Sequence, residues 1–437
     1  MPLGGRDVWQ RSHPAGATGA MADSELIAGL DLGTTKVCAI VGERVDDGID
    51  IIGIGTAPSK GLKKGVVVNI ESTVQAIKAA VEQAETMAGC EIGTVFAGIA
   101  GSHVRGINTE GVAAITDREV SDSDVQRVLE QSKAIPLPSD RQVIHVLPQE
   151  YIVDDQDGIV KPVGMNGVRL EARVHLVTAA SSSIQNIIKC AERCDLHVAE
   201  VVLEPLASAE AVLSEDEKEI GVALIDIGGG TTDIIVYVNN AAVHTSVIPI
   251  GGINLTGDVC AGLHTPTAEA ERIKIKYGCA SPKMIDLHDT IEVPSVGGRP
   301  PRTLPREVLV NILEPRVEEI FSAVSHVLSE SGYREMLHAG VVLTGGSTLL
   351  DGMPELAEQI LGMQVRRASP VGVGGLADVV KSPAYATAVG LVKYGAERVQ
   401  IARTMPEPRS MRPQQRSERV QGPRLGSRIG DWFREVF

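Results

Sequence analysis

The chain has 437 residues, 43% of them hydrophobic and 22% charged, and carries a net charge of −15. That length has room for two to four folding units with large cores. No apolar run approaches the roughly 18 residues of a membrane span and the first 24 residues lack the apolar middle of a signal peptide, so a cytoplasmic body is expected; its acidic balance argues against nucleic acid as a partner.

Met1 to Asp23 is rich in Gly and Ala without periodicity and is assigned no function. Leu26 to Ala57 reads as a three-strand meander with turns at DLGTT and DDG, followed by a helix from about Ile70 to Met87 and a strand at Thr94 to Ala100. Ser102 to His175 has a different texture, with a short polar helix at Ser121 to Lys133 and strands around His145 to Val153 and Arg169 to Val177, and reads as an inserted α+β subdomain. The helix Ile184 to Cys194 carries Cys190 and Cys194 one turn apart, near His197. Two readings stand for these residues, a loose metal cluster and small thiols packed in a core, and the apolar face of the helix favours the second. Six scattered cysteines without a secretory signal point to reduced thiols.

The second half repeats the first. Val222 to Ile227, Ile234 to Val238 and Val243 to Ile248 form another expected meander, the last two joined at an Asn-Asn turn. Gly257 to Gly332 reads as a second insertion, with helices at Ala268 to Tyr277 and Arg306 to Ser329 around a basic Pro/Gly loop, Val293 to Arg302 (VPSVGGRPPR). That loop is either a connector or a cationic docking edge for an acidic or C-terminal peptide. Gly340 to Leu350 (GVVLTGGSTLL) reads as a buried strand running through Gly345 and Gly346 into a helix, where a flat ring can lie against the backbone. Glu271 and Lys274 share a helical face and are read either as ribose ligands or as a surface ion pair.

The tail differs from the body. From Arg398 to the C-terminus there are nine Arg, no Lys and four acids, so the tail is +5 and the remainder −20. Thr404 to Gly426 has the composition of a linker. Plotted as a helix, Leu425, Ile429, Trp432, Phe433, Val436 and Phe437 fall within an arc of about 140°. Such a helix is only about 20 Å long, too short to cross a ~30 Å hydrocarbon core but able to lie in the interface of an anionic membrane. The alternative is a helix docked on the protein's own core.

Two stretches carry the chemistry. Asp31 to Lys36 reads DLGTTK, and Asp226 to Asp233 reads DIGGGTTD, each after an apolar strand. Glycines and small hydroxyl residues at a strand turn let backbone N–H groups approach a phosphate. A carboxylate there would repel that phosphate, so Asp31, Asp226 and Asp233 are read as holding Mg²⁺, partly through water. Nucleotide and Mg²⁺ in a cleft between two related domains is the expectation, against two ordinary Gly-containing hairpins. No GxxxxGK[ST] loop occurs and no GxGxxG follows a strand.

Together these motifs resemble the actin, sugar kinase and heat-shock 70 ATPase superfamily. Val146 to Ile159 (VLPQEYIVDDQDGI), Lys161 to Ala179 (KPVGMNGVRLEARVHLVTA), VPSVGGRPPR and the terminal helix resemble the FtsA family of bacterial cell-division proteins. The resemblance implies an α/β, actin-like two-domain fold with duplicated β-meander/α cores around a nucleotide cleft. It divides the chain into a leader (1–24), subdomain IA (25–101, 176–203 and 371–397), IC (102–175), IIA (204–256 and 333–370), IIB (257–332), linker (398–424) and membrane helix (425–437). It implies ATP and Mg²⁺ as ligands. Gly33, Thr34, Thr35 and Lys36 would line one side of the phosphates and Gly228, Gly229, Gly230 and Thr231 the other. Gly345, Gly346 and Ser347, with Glu271 and Lys274, would hold the adenosine.

Family members polymerise, bind the C-terminal peptide of FtsZ on IIB and contact later division proteins through IC, at the cytoplasmic face of the inner membrane. This makes the Val293 to Arg302 loop, with Arg299 and Arg302, part of the FtsZ-facing subdomain. Glu204 is either a water-orienting acid for slow ATP hydrolysis or a buried structural carboxyl before Pro205. The rival functions are a small-molecule kinase and a chaperone or pilus-assembly ATPase of the same superfamily.

Overall fold

The computed structural model describes residues 25–404, except 47, 287, 296 and 298. The leader, most of the Arg-rich linker and the terminal segment with Leu425, Ile429, Trp432, Phe433, Val436 and Phe437 lie outside the described residues.

Alternation of β-branched residues with glycine makes Leu26–Leu32, Lys36–Val45 and Gly48–Pro58 an antiparallel meander. Thr94–Ile99 adds in parallel beside Leu26–Leu32, and His197–Leu203 beside that; Gly374–Gly375 closes the far edge. The helix Ile70–Ala88 crosses this sheet, started by the Asn69 side chain, which accepts from the Ser72 N–H at 2.9 Å, and stopped by Gly89. A second sheet repeats the plan: Val222–Ile227, Thr232–Val238 and Ala241–Ile248 form the meander, and Val341–Thr344 and Val365–Arg367 add in parallel.

The helix Arg306–Ser331 buries Leu309, Leu313, Val317, Ile320, Phe321, Val324 and Leu328 at helical spacing, and these meet Ile225, Ile234 and Leu343 of the second sheet in one core. A four-stranded sheet in the order Arg105–Ala114, Arg169–Ala180, Arg141–Val153, Gln156–Ile159 forms the inserted subdomain, with its own core under the helix Asp122–Ser132. Among the described residues no helix is long and apolar enough to cross a membrane.

Three expectations need correction. The segment after Gly345 is a 3₁₀ turn, Gly346–Leu349, and the α-helix starts only at Met353. The reason is local, since Gly345 takes φ 90° and turns the chain sharply out of its strand. The boundary expected at residue 257 falls inside the helix Gly252–Leu263, whose glycines mask its periodicity, and the one at 176 falls inside the strand Arg169–Ala180. Continuous elements cross both points. Finally, Val293 to Arg302 is the tip of a β-hairpin, since Thr290–Val293 pairs with Arg302–Pro305.

Candidate functional site

The two hairpins have the same frame. Leu32 pairs with Val37 and Ile227 with Thr232, so four residues span each turn, and the side chains fill equivalent places differently. Opposite Asp31 stands Cys38, whereas opposite Asp226 stands Asp233; the last turn residue is Lys36 in one and Thr231 in the other. One hairpin thus supplies a cation, the other a second acid.

The turns face each other across a cavity of about 360 Å³. Asp31, Gly33 to Lys36, Glu204, Asp226, Gly228 to Thr231, Asp233, Glu271, Lys274 and Gly345 to Ser347 all line it, which brings every residue singled out for nucleotide or cation to one place. At the far rim the turns touch. A Cβ on Gly229 would lie 1.9 Å from Thr35 Oγ1, and one on Gly230 2.6 Å from Thr34 Oγ1, so side chains there would hold the turns apart. Thr34 Oγ1 accepts from the Gly65 N–H at 3.1 Å, and Ser347 Oγ donates to the Gly228 carbonyl at 2.8 Å. The start of the helix Gly252–Leu263 is tied to the second turn, its Gly252 and Ile253 N–H groups donating to the Gly228 and Gly229 carbonyls.

The electrostatics are unbalanced. Burial pushes the Asp31 carboxyl up to about 6, with Lys36 opposing the rise and Asp226 adding to it. Burial and then the Asp226 charge push Asp233 up to about 7. Glu204 is raised well above its ordinary value, by burial first and then by Asp31, Asp233 and Asp226. Burial raises Asp226 as well, against the Ser208 and Thr387 hydroxyls and Lys36. Five carboxyls therefore line one cavity with two lysines, and since Lys274 is paired with Glu271, Lys36 alone faces the other four. The Lys36 ammonium and Asp233 Oδ1 are buried without a hydrogen-bond partner, and Lys36 Nζ sits 3.9 Å from the centre of the Tyr385 ring. An orphaned ammonium beside clustered acids fits a phosphate together with a divalent cation.

The outer cavity is apolar, where Ile253, Ile275 and Leu349 line it, half or more exposed. Glu271 and Lys274 line the cavity and form an ion pair at 2.8 Å, with Thr256 bridging them. Sequence reasoning missed Ile253, Ile275, Leu349, Ser208 and Thr387. The apolar ones follow Gly252 or flank Lys274 and Leu350, a proximity that could have pointed to them.

Elsewhere, Arg302 and Arg299 lie outside the cavity. The Arg302 guanidinium donates to the Leu263 carbonyl, fastening the hairpin to a helix end, while Arg299 is exposed near the tip. Cys190 is buried in the core, and Cys194 Sγ donates to the Cys190 carbonyl at 3.2 Å; among the described residues no His, Cys, Asp or Glu cluster could hold a metal ion by itself.

Comparison with known proteins follows these features. The family model "Cell division protein FtsA" matches residues 223–390, and "SHS2 domain inserted in FTSA" matches 101–178. A cell division protein FtsA from Pseudomonas aeruginosa is 52% identical over 380 residues, 87% of this chain and 91% of that protein. Its counterpart in Escherichia coli K12 is 43% identical over 383 residues, 86% of this chain and 91% of that protein. Among solved structures, a PilM-PilN type IV pilus biogenesis complex superposes with a TM-score of 0.61 at 15% identity, covering 84% of this chain and 98% of that one. MreB5 of Spiroplasma citri bound to ADP superposes with a TM-score of 0.51 at 14% identity, covering 87% of this chain and 99% of that one. At such low identities these likenesses speak for the fold alone, which is actin-like.

Proposed function

This chain belongs to the cell division protein FtsA family, and from that premise we propose that it binds ATP with Mg²⁺, polymerises, and tethers FtsZ to the cytoplasmic face of the inner membrane. It is a division protein with an actin-like fold of the kind that binds nucleotides. The observation that carries the ligand assignment is the Lys36 ammonium, buried without a hydrogen-bond partner in a cavity lined by Asp31, Asp226, Asp233 and Glu204.

In this reading the backbone of Gly33 to Thr35 and of Gly228 to Thr231 cradles the phosphates, and Lys36 neutralises them from the first hairpin. Asp31, Asp226 and Asp233 hold the cation, partly through water. Gly345, Gly346 and Ser347 admit the adenosine, with Ile275 and Leu349 against its base and Glu271 and Lys274 near the ribose. Bound Mg²⁺ supplies positive charge that offsets both the phosphates and the crowded acids. Glu204, its carboxyl pushed up by burial and then by the neighbouring acids, would orient a water molecule once the cation offsets the local negative potential. Nucleotide is accordingly a switch for assembly more than a fuel.

FtsZ's C-terminal peptide would meet the hairpin subdomain, with Arg299 facing the peptide and Arg302 shaping the hairpin. The inserted subdomain would serve polymer contacts and later division proteins. The segment 425–437 would lie in the surface of anionic lipid, and several copies on one filament would bind by avidity.

Co-sedimentation tests the whole reading. The full chain and a version ending at Arg403 are mixed with anionic liposomes, ATP, Mg²⁺ and FtsZ. Full chain and FtsZ should pellet together with lipid, and the shortened chain should leave FtsZ in solution. If both versions stay in solution, the tethering function is wrong.

A further inference from the structure

Asp226 is gripped by two hydroxyls, one of which, on Thr387, also lines the cavity. Ser208, fully buried on the helix Glu204–Val212, donates to Asp226 Oδ2 at 2.7 Å. Thr387, on the helix Ala386–Thr404, lies 3.0 Å from Ser208 Oγ and 3.3 Å from the same carboxylate oxygen. With one proton on each hydroxyl, the chain runs Thr387 to Ser208 to Asp226, each O–H donating to the next oxygen. Only a glycine at 345 leaves room for the other oxygen, since a Cβ there would lie 2.3 Å from Asp226 Oδ1. The carboxylate is therefore held by hydrogen bonds at Oδ2.

Thr387 belongs to the other half of the molecule, while Ser208 stands on a helix that packs against both sheets. Glu204–Val212 continues directly from the strand His197–Leu203 of the first sheet, and a Cβ on Gly29 of that sheet would lie 2.9 Å from the Ala388 carbonyl. The helices cross at small residues, where a Cβ on Gly390 would lie 1.8 Å from the Ala207 carbonyl. Asp226 stands on the second sheet. Opening of the two halves would move Thr387 relative to it, on a helix packed against the first sheet.

We propose that Ser208 and Thr387 are positioning residues that fix the Asp226 carboxylate, Thr387 from a helix of the other half, and so tie cation affinity to closure of the cleft. The inference rests on the nucleotide and cation reading of this cavity. Partners that orient a metal ligand from behind typically change metal affinity by 10–100-fold when removed.

The test uses the full chain with a fluorescent ATP analogue, measured during a Mg²⁺ titration and again in EDTA, alongside thermal melting. Ser208→Ala and Thr387→Val should raise the Mg²⁺ concentration for half-maximal binding about tenfold, with EDTA affinity within about twofold of the unsubstituted chain. Thr387→Ser, which keeps the hydroxyl, should restore the original Mg²⁺ dependence. The proposal is overturned if both variants keep the Mg²⁺ dependence of the unsubstituted chain. It is equally overturned if affinity with Mg²⁺ and in EDTA falls together with melting temperature and Thr387→Ser restores nothing. If the unsubstituted chain itself binds nucleotide without regard to Mg²⁺, the cation reading of the cavity fails first, and this inference with it.

Discussion

The two halves of the molecule meet in several places, and two of these are built oppositely. At the cleft, glycines of one turn touch threonines of the other, buried Asp31, Asp226 and Asp233 crowd together with half-buried Glu204, and the Lys36 ammonium and Asp233 Oδ1 have no hydrogen-bond partner. At the seam where the inserted subdomain lies on the strand Ala241–Ile248, the polar groups are matched. His175 Nε2 is 2.9 Å from Thr245 Oγ1, and His175 Nδ1 is 2.6 Å from Asn108 Oδ1. Asn108 Nδ2 donates to the Val243 carbonyl at 3.1 Å and to the Tyr333 hydroxyl at 3.3 Å, and Gln149 donates to Asn108 Oδ1 at 3.1 Å. Unmatched buried polar atoms are costly unless something else satisfies them. Two such atoms stand at the cleft beside the crowded acids, whereas the polar groups of the seam are otherwise matched. His244, whose Nε2 is buried without a partner beside the seam, is the exception there.

Substitutions should sort the same way. Lys36→Met removes the orphaned ammonium at nearly constant volume. Nucleotide affinity should fall at least about 100-fold, roughly 3 kcal/mol, in an equilibrium titration, and an unchanged affinity would erase the contrast between the junctions. Asn108→Ala should do the reverse, lowering stability by about 2 kcal/mol through the unpaired His175, Gln149 and Val243 groups, while nucleotide affinity stays put. Asp233→Asn should move the two properties in opposite directions. Relieving one of the crowded charges should stabilise the nucleotide-free protein by about 1 kcal/mol, seen as a higher denaturant midpoint, and should weaken Mg²⁺-dependent binding. A drop in both would mean that Asp233 is structural.

These contrasts were only partly legible in the sequence. Both hairpins could be read because Gly, Thr and Asp interrupt apolar strands in the same order twice, and periodicity reports such local frames well. The helix Gly252–Leu263 escaped because Gly252, Gly257 and Gly262 dilute its apolar spacing. Ser208 and Thr387 escaped for a different reason. They are 179 residues apart, and their contact exists only because two helices cross at Gly390. Periodicity says which face of a helix is buried; it does not say which hydroxyl on that face finds a carboxylate. The match of His175 to Thr245 across 70 residues was invisible for the same reason.

That histidine supplies the smallest effect and the cleanest sign. Burial, and then the neighbouring His244, lower His175 from 6.5 to about 4, so it is neutral in the folded protein at neutral pH. Burial lowers His244 as well, so the two act in the same direction. In the unfolded chain His175 takes up a proton near its ordinary value, and below that pH the unfolded state binds more protons than the folded one. Stability at the seam is therefore fully present above about pH 6.5 and is lost as the pH falls towards 4. Going from pH 7 to pH 5.5 should cost about 1 kcal/mol for His175, at ~1.4 kcal/mol per pH unit below its ordinary value. Urea midpoints at these two pH values should differ less in His175→Gln than in the unsubstituted chain by about that amount, the remaining slope being the share of His244 and other groups. If the two proteins show equal slopes, His175 is hydrated in the folded state and the seam is as open to water as the cleft.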